Sequence, residues 1–110
     1  MDIRFETLEN TVIIHLEGEL DHHWAKDAKA RIDFKLSISL KKNVVYDLQK
    51  LTFMDSSGIG LIASSYKIVE ASGGKVYIIT DNEKFIKIFN MSGINEMATI
   101  LSGYTEEVLI

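Results

Sequence analysis

Residues 47–62 read Asp47-Leu48-Gln49-Lys50-Leu51-Thr52-Phe53-Met54-Asp55-Ser56-Ser57-Gly58-Ile59-Gly60-Leu61-Ile62. An apolar strand that ends at Asp47-Leu48 is followed by a short loop, a polar Asp-Ser-Ser-Gly turn and an apolar-periodic run that begins near Ser57. This order is typical of a strand that crosses over into a helix. We therefore expect the polar turn to lie at the start of that helix.

The polar turn has the chemistry of a helix N-terminus. The first turn of a helix carries backbone N–H groups without a partner inside the helix, and the aligned peptide dipoles make this end partly positive. Asp and Ser side chains accept hydrogen bonds from such groups, so Asp55, Ser56 and Ser57 are each candidates for the N-cap. Gly58 and Gly60 leave the first turn bare, which lets another backbone or a flat protein surface approach closely. Taken alone, the turn is adequately explained as a helix cap.

Two other interpretations of the turn are weaker. A Gly-x-Gly spacing after a strand hints at phosphate binding by a nucleotide-binding domain, but no third glycine and no Gly-Lys-Ser/Thr sequence follows it. A serine nucleophile needs a histidine base and an orienting acid. The three histidines, His15, His22 and His23, lie far upstream without a recognisable spacing. Hydrolase chemistry is therefore not expected.

The turn and its flanks also resemble a known family. The run Phe53-Met54-Asp55-Ser56-Ser57-Gly58-Ile59-Gly60 is similar to the phosphorylation-site signature of the bacterial anti-sigma factor antagonists, which have the STAS fold. Three further pieces match in the same order: Gly18-Glu19-Leu20-Asp21-His22-His23, then Tyr66-Lys67 followed by Gly73-Gly74, then Phe89-Asn90-Met91-Ser92-Gly93-Ile94. The resemblance runs from about Ile3 to about Ile100 and is greatest to the sporulation-type antagonists that control sigma factor F.

This resemblance implies a set of site residues. In the family the serine directly after the aspartate accepts the phosphoryl group, which identifies Ser56 as the phosphorylation site here. The loop with Glu19 and Asp21 is implied to lie beside that serine and to offer acidic contacts to a basic partner surface. The other residues expected to contact a partner are Asp55, Ser57, Gly58 and Ile59.

The resemblance likewise implies the partners. An unphosphorylated antagonist binds an anti-sigma factor that is also a serine kinase, and the sigma factor is thereby freed for transcription. Phosphorylation of Ser56 would end the binding, and a serine phosphatase would restore it. The resemblance thus implies that the chain is a substrate and binding module and not an enzyme. ATP and magnesium belong to the kinase, so no cofactor is expected in this chain. A nucleotide-binding STAS module and a STAS scaffold of a general stress-response partner-switching complex remain as alternatives.

Composition argues against several other classes. The chain has 16 acidic and 12 basic residues, a net charge of −4 and no basic stripe, so direct binding to nucleic acid is not expected. The absence of cysteine excludes a disulfide framework and a thiolate zinc site, and no metal site is predicted. We find no charged-then-apolar leader and no apolar run of membrane-spanning length, so we expect a cytoplasmic protein without a membrane partner.

Hydrophobic periodicity predicts an α/β fold. We expect a single STAS-type domain over residues 1–110, with a mixed sheet of four or five strands and about four helices. A leading antiparallel hairpin (3–8 and 11–16) precedes parallel strands at 43–48 and 75–79 and a weak strand at 99–101. Helices are expected from a cap at Asp21 to about 34 or 36, from about 57 to 72, from 83 to 90 behind a Thr80–Glu83 capping box, and from 104, with a connector at 37–42.

Overall fold

The computed structural model describes residues 1–39 and 42–109. Its strands are β1 (Asp2–Leu8), β2 (Thr11–Leu20), β3 (Asn43–Met54), β4 (Val76–Ile79) and β5 (Thr99–Leu101). Its helices are α1 (His22–Ile38), α2 (Ser56–Ala71), α3 (Glu83–Ser92), α4 (Ile94–Met97) and α5 (Glu106–Leu109). The strands form one sheet in the order β1-β2-β3-β4-β5, with β1 and β2 antiparallel and each later pair parallel. The predicted mixed α/β sheet with its leading hairpin is confirmed.

The sheet has a thick side and a thin side. Because successive strand residues point to opposite faces, alternate residues of β3 serve two different clusters. Val44, Tyr46 and Leu48 belong to the main core, together with the buried residues of α1, α2 and α3. The opposite face carries a small cluster of Ile13, Val45, Tyr77 and Ile79, which Val108 of α5 closes. We call the first face the thick side and the second the thin side.

A buried hydrogen bond joins β3 to α2 inside the main core. The Tyr46 hydroxyl donates to Ser65 Oγ at 2.8 Å, and the Ser65 hydroxyl donates to the Ile62 carbonyl at 2.9 Å. Tyr46 and Ser65 are both fully buried. Burial raises the pKa of Tyr46 well above its usual range, so the phenol remains a protonated donor.

The central strand is longer than predicted. β3 does not end at Asp47-Leu48 but continues to Met54 and pairs with β2 over most of its length. Its register against β2 shifts between His15 and Glu17 and again between Gly18 and Glu19. Such irregularities let one strand carry extra residues without losing its neighbour, so the polar stretch after Asp47 remains in the sheet.

Several helix boundaries also differ from the prediction. α1 ends at Ile38, within the expected connector at 37–42, of which residues 40 and 41 lie outside the described part of the chain. α3 is capped by Asn82, whose side chain accepts hydrogen bonds from the backbone N–H groups of residues 84 and 85, while Thr80 Oγ1 accepts from the backbone N–H of Asn82. The Thr80–Glu83 capping box was therefore the wrong assignment.

The C-terminal third adds one helix to the expected set. α3 runs to Ser92 instead of residue 90, and Gly93 ends it in the left-handed conformation (φ 85°). Glycine adopts this conformation without steric penalty, which allows the chain to turn at once into α4, a helix that was not predicted. α5 begins at Glu106 and not at Tyr104.

The buried Tyr46–Ser65 pair predicts unequal effects of two small substitutions. Ser65→Ala leaves the Tyr46 hydroxyl buried without an acceptor and should lower the free energy of unfolding by about 1–3 kcal/mol. Tyr46→Phe should cost about 1 kcal/mol or less, because Ser65 keeps its bond to the Ile62 carbonyl. Urea denaturation of both variants and of the double variant measures this. A double variant much less stable than Ser65→Ala would contradict the account.

Candidate functional site

Two helix N-termini meet at the carboxyl end of the sheet. Asp21 caps α1 by accepting hydrogen bonds from His23 N (3.0 Å) and Trp24 N (3.2 Å). Asp55 caps α2 in the same way, with Oδ1 accepting from Ser57 N at 2.8 Å. Its other oxygen, Oδ2, accepts from His22 N at 3.2 Å, which is the first residue of α1. One carboxylate therefore joins the starts of both helices.

The parallel pairing of β2 and β3 brings these caps together. Leu20 lies opposite Met54 in the register, and each is followed by an aspartate and a helix. The Asp55 backbone N–H also donates to the Leu20 carbonyl at 3.3 Å. Parallel strands that end at the same level deliver both strand-to-helix turns to one edge, where open α/β sheets carry their sites.

The Asp55 carboxyl group is held in its ionised form. The hydrogen bond from the Ser57 backbone N–H is the main cause that lowers its pKa, and the contacts with His22 act in the same direction. A negative charge at this point is favourable because it faces the partly positive ends of α1 and α2. Ser56, the next residue, therefore lies directly after a negative charge whose position is fixed by the Asp55 hydrogen bonds.

The predicted site residues occupy different environments around this turn. Ser56 is the first residue of α2 and is exposed, and Glu19 is exposed near the end of β2. Asp21, Asp55 and Ile59 are partly buried. Ser57 is partly buried too and donates its backbone N–H to Asp55, so Asp55 is the one of the three candidate caps that caps the helix.

Gly58 and Gly60 do not form one bare surface. A Cβ atom on Gly58 would lie 2.5 Å from Met54 Cγ and 3.1 Å from Leu20 Cδ2, so this buried glycine lets the strand ends pack against α2. The close approach expected for a partner is made at this position by the protein's own core. Gly60 is exposed, and no atom would lie within 4 Å of its added Cβ.

An apolar surface beside Ser56 was not foreseen. Ile59 of α2 and Ile88 and Met91 of α3 line an open depression whose rim includes Asp55, Ser56 and Ser92. Met91 is 78% exposed, which is unusual for a large apolar side chain. The helical periodicity of α3 could have indicated this surface. Because Phe85 and Phe89 face the core, Ile88 and Met91 must lie toward the edge of the helix.

The described residues contain no group of three or more His, Asp or Glu side chains arranged to hold a metal ion. Of the adjacent His22 and His23, the His23 ring packs edge-on against Trp24, with 5.2 Å between ring centroids. Among the helices of 1–39 and 42–109, none combines the length and the apolar character needed to cross a bilayer.

The two glycines of α2 predict opposite changes in stability. Gly58→Ala should destabilise the fold by about 1–3 kcal/mol, because Met54 and Leu20 must move to admit the methyl group. Gly60→Ala meets no atom and should stabilise α2 by up to about 1 kcal/mol through its higher helix propensity. Thermal or urea unfolding of this matched pair decides the point, and equal effects of the two substitutions would refute the assignment.

The capping role of Asp55 predicts a pH-dependent difference between two variants. Asp55→Ala should lower stability at pH 7 by about 0.5–2 kcal/mol, whereas Asp55→Asn keeps an acceptor oxygen and should cost less. Because the folded pKa of Asp55 lies below its unfolded value of about 3.9, its ionised form contributes stability above about pH 4 and loses it as the pH falls through the folded pKa.

The measurement is urea denaturation of the native protein and of both variants at pH 7 and near pH 3. The gap between the native protein and Asp55→Asn should narrow on acidification, since asparagine does not titrate. A gap that does not change with pH would show that the charge of Asp55 contributes nothing.

Comparison with known proteins agrees with this architecture. The model of the STAS domain matches residues 2–106. The anti-sigma F factor antagonist of Paenibacillus polymyxa is 32% identical over 108 residues, covering 98% of this chain and 90% of the relative. That of Lysinibacillus sphaericus is 34% identical over 84 residues, covering 76% and 72%.

A solved relative has the same fold. The anti-sigma factor antagonist SpoIIAA in its unphosphorylated form is 28% identical and superposes with a TM-score of 0.84, covering 98% of this chain and 93% of the other. The phosphorylated form of the Bacillus protein gives a TM-score of 0.77 at 28% identity, covering 98% and 96%. The chain therefore belongs to the STAS domain family and, within it, to the anti-sigma factor antagonists.

Proposed function

We propose that this chain is an anti-anti-sigma factor whose unphosphorylated form binds an anti-sigma factor that is also a serine kinase. Phosphorylation of Ser56 switches that binding off. The observation that carries this function is the position of Ser56: exposed, directly after the Asp55 cap, and on the rim of the apolar depression. A relative at 28% identity has been solved in phosphorylated and unphosphorylated forms, which supports a phosphorylation switch in this family.

The proposed docking surface combines an apolar centre with an acidic border. Ile59, Ile88 and Met91 form the centre, and Ser56 lies at its edge. Exposed apolar side chains that adjoin a polar rim are typical of protein-binding surfaces. Glu19 and Asp21 lie at the same end of the sheet as Ser56, and we call this end the Ser56 tip. Because both side chains are acidic, the complementary surface of the partner is basic.

The switch operates through charge. Phosphorylation adds about −1.5 to −2 charges next to Asp55. Within the free chain this charge is tolerated, because it lies at the positive end of α2. Inside a closed interface an unpaired buried charge costs on the order of 3–5 kcal/mol. Since about 1.4 kcal/mol corresponds to a tenfold change in affinity, this effect alone weakens binding by more than about a hundredfold.

The modification requires no refolding of this chain. Within residues 1–39 and 42–109 the Ser56 side chain makes no hydrogen bond, so a phosphoryl group breaks no internal contact there. Asp55 remains bonded to Ser57 and His22 through backbone N–H groups, which do not depend on the Ser56 hydroxyl. Only the outer surface of the tip changes its charge.

The remaining roles belong to the partners. The kinase supplies ATP and magnesium, a serine phosphatase removes the phosphoryl group, and the sigma factor released is the sporulation factor F or its equivalent. The chain acts as a substrate and binding module over residues 1–110, and its site of action is the cytoplasm, where sigma factors work. Burial of Gly58 beneath Met54 and Leu20 argues against the nucleotide-binding alternative, because a glycine that cradles phosphate must be open to the ligand.

Substitution of Ser56 tests this function directly. Ser56→Asp should weaken binding to the anti-sigma kinase by at least about tenfold, since it places one permanent charge in the interface. Ser56→Ala should bind as tightly as the native chain but gain no mass on incubation with the kinase and ATP. Titration calorimetry and intact-mass spectrometry give the two results.

The matched control is Ser57→Ala, one residue further along the same helix. It should still gain one phosphoryl group of mass, and fragment mapping of the native chain should place that group on Ser56. Phosphorylation that maps to Ser57, or a phosphorylated chain that binds its partner as tightly as the unmodified one, would overturn the proposal.

A further inference from the structure

A second polar cluster lies on the thin side of the sheet, away from the Ser56 tip. Its centre is Asp47 of β3, whose Oδ2 accepts a hydrogen bond of 2.6 Å from the Tyr104 hydroxyl. Asp47 Oδ1 accepts from the Gln49 backbone N–H at 3.0 Å. His15 of β2 places Nδ1 3.3 Å from Asp47 Oδ2 and Nε2 2.9 Å from Glu6 Oε1.

The carboxylate at the centre of this cluster is already hydrogen-bonded, although Asp47 and His15 also line a cavity of about 240 Å³. Asp47 is only 9% exposed, and both of its carboxylate oxygens already have partners. A buried carboxylate that is fully hydrogen-bonded fixes the groups around it, because each bond it loses leaves charge without compensation. The groups fixed here come from β1, β2, β3 and the segment before α5.

Asp47 lies where β3 leaves the regular register. Asp47 is opposite His15, but the next pair along the strands is Lys50 opposite Glu17, so β3 has one residue more than β2 in this interval. An extra residue of this kind leaves a backbone group outside the ladder and bends the strand. The Gln49 N–H is satisfied by Asp47 itself, so this carboxylate holds the bulge in shape.

The bulge determines the direction of the strand that leads to the phosphorylation site. Residues 50–54 follow it directly and end at the Asp55 cap, which begins α2. A change in the shape of the bulge therefore alters the direction of residues 50–54. No contact between Asp47 and the docking surface is needed for such an effect, since the chain itself connects them.

The C-terminal segment closes this network from outside. Tyr104 is 37% exposed, but partial desolvation and the hydrogen bond to Asp47 raise the pKa of its phenol, which keeps it a donor. Val108 is buried in the small cluster of the thin side, and the Tyr77 hydroxyl lies 3.5 Å from Glu107 Oε1. The segment is thus held by one contact to Asp47 and by others that do not involve Asp47.

We propose that the hydrogen bond from Tyr104 to Asp47 is a positioning contact, through which the C-terminal segment holds the bulge of β3 and thereby the Ser56 tip. Neither Tyr104 nor Asp47 needs to contact the partner protein, because both act through residues 50–54. The effect on partner binding rests on the proposed function of Ser56, whereas the effect on the strand does not.

Hydrogen exchange of the full chain with Tyr104→Phe tests the positioning contact without any partner. Amides of residues 49–54 and of the first turn of α2 should exchange about tenfold faster relative to the amides of residues 44–46. The reason is that the Asp47 carboxylate, which shapes the bulge, loses the hydrogen bond donated by Tyr104. Normalising to residues 44–46 removes any uniform change in global stability. Faster exchange confined to residues 99–109 would overturn the proposal.

Tyr77→Phe is the matched control. It removes the other phenol that contacts the C-terminal segment, but Tyr77 bonds to Glu107 and not to Asp47. This variant should accelerate exchange in residues 104–109 and leave residues 49–54 unchanged. Acceleration of 49–54 by both variants would mean that any loosening of the segment suffices, and the specific role of the Tyr104–Asp47 bond would be excluded.

A double variant and a binding measurement complete the test. In an Asp47→Ala background, which has no side-chain acceptor, Tyr104→Phe should add little, since both changes remove one bond; independent effects would contradict the coupling. Tyr104→Phe should also weaken binding to the anti-sigma kinase several-fold. If the native chain does not bind that kinase, the proposed function fails, while the exchange result still decides whether Tyr104 positions the strand.

Discussion

The carboxylate of Asp55 is the constraint on which the functional end of this molecule depends. It caps α2 through the Ser57 N–H and reaches the His22 N–H at the start of α1. Both donors lack a partner within their own helices, and both lie at partly positive helix ends. One ionised group therefore sets the spacing of two helices as well as the position of Ser56, which follows it directly. Moving this residue would break the cap of α2 and the bond to the start of α1 at once.

A turn held in this way suits the proposed switch, which works by charge. If the turn had to refold on modification, the cost of refolding would be added to every cycle of phosphorylation and removal. Here the exposed Ser56 hydroxyl stands outside the bonds that build the turn, while Gly58 packs inward against the ends of β2 and β3. The structural role and the proposed regulatory role of the loop thus belong to neighbouring residues. The apolar side chains of Ile59 and Met91 form a surface beside Ser56 on which an added charge would disfavour the binding of a partner.

The two sides of the sheet are stabilised by different kinds of contact. The thick side holds the main core under α1, α2 and α3, including the buried bond between Tyr46 and Ser65 that fixes α2 on β3. The thin side has a small apolar cluster, and its polar network centred on Asp47 ties the C-terminal segment to the irregular part of β3. The two arrangements act on neighbouring residues of β3, Tyr46 on the core side and Asp47 on the other.

The sequence by itself determined what depends on neighbours within a few residues: the strand and helix alternation, the leading hairpin, the cap at Asp21 and the three candidate caps of α2. Such features follow from hydrophobic periodicity and from side-chain bonds to N–H groups two or three positions away. Only the tertiary structure decided the rest. The length of β3 depends on its pairing with β2, the burial of Gly58 on the side chains that the fold places above it, and the bridge from Asp55 to His22 on two strands ending at the same level. These contacts join residues far apart in the chain, and no local pattern encodes the distance between them.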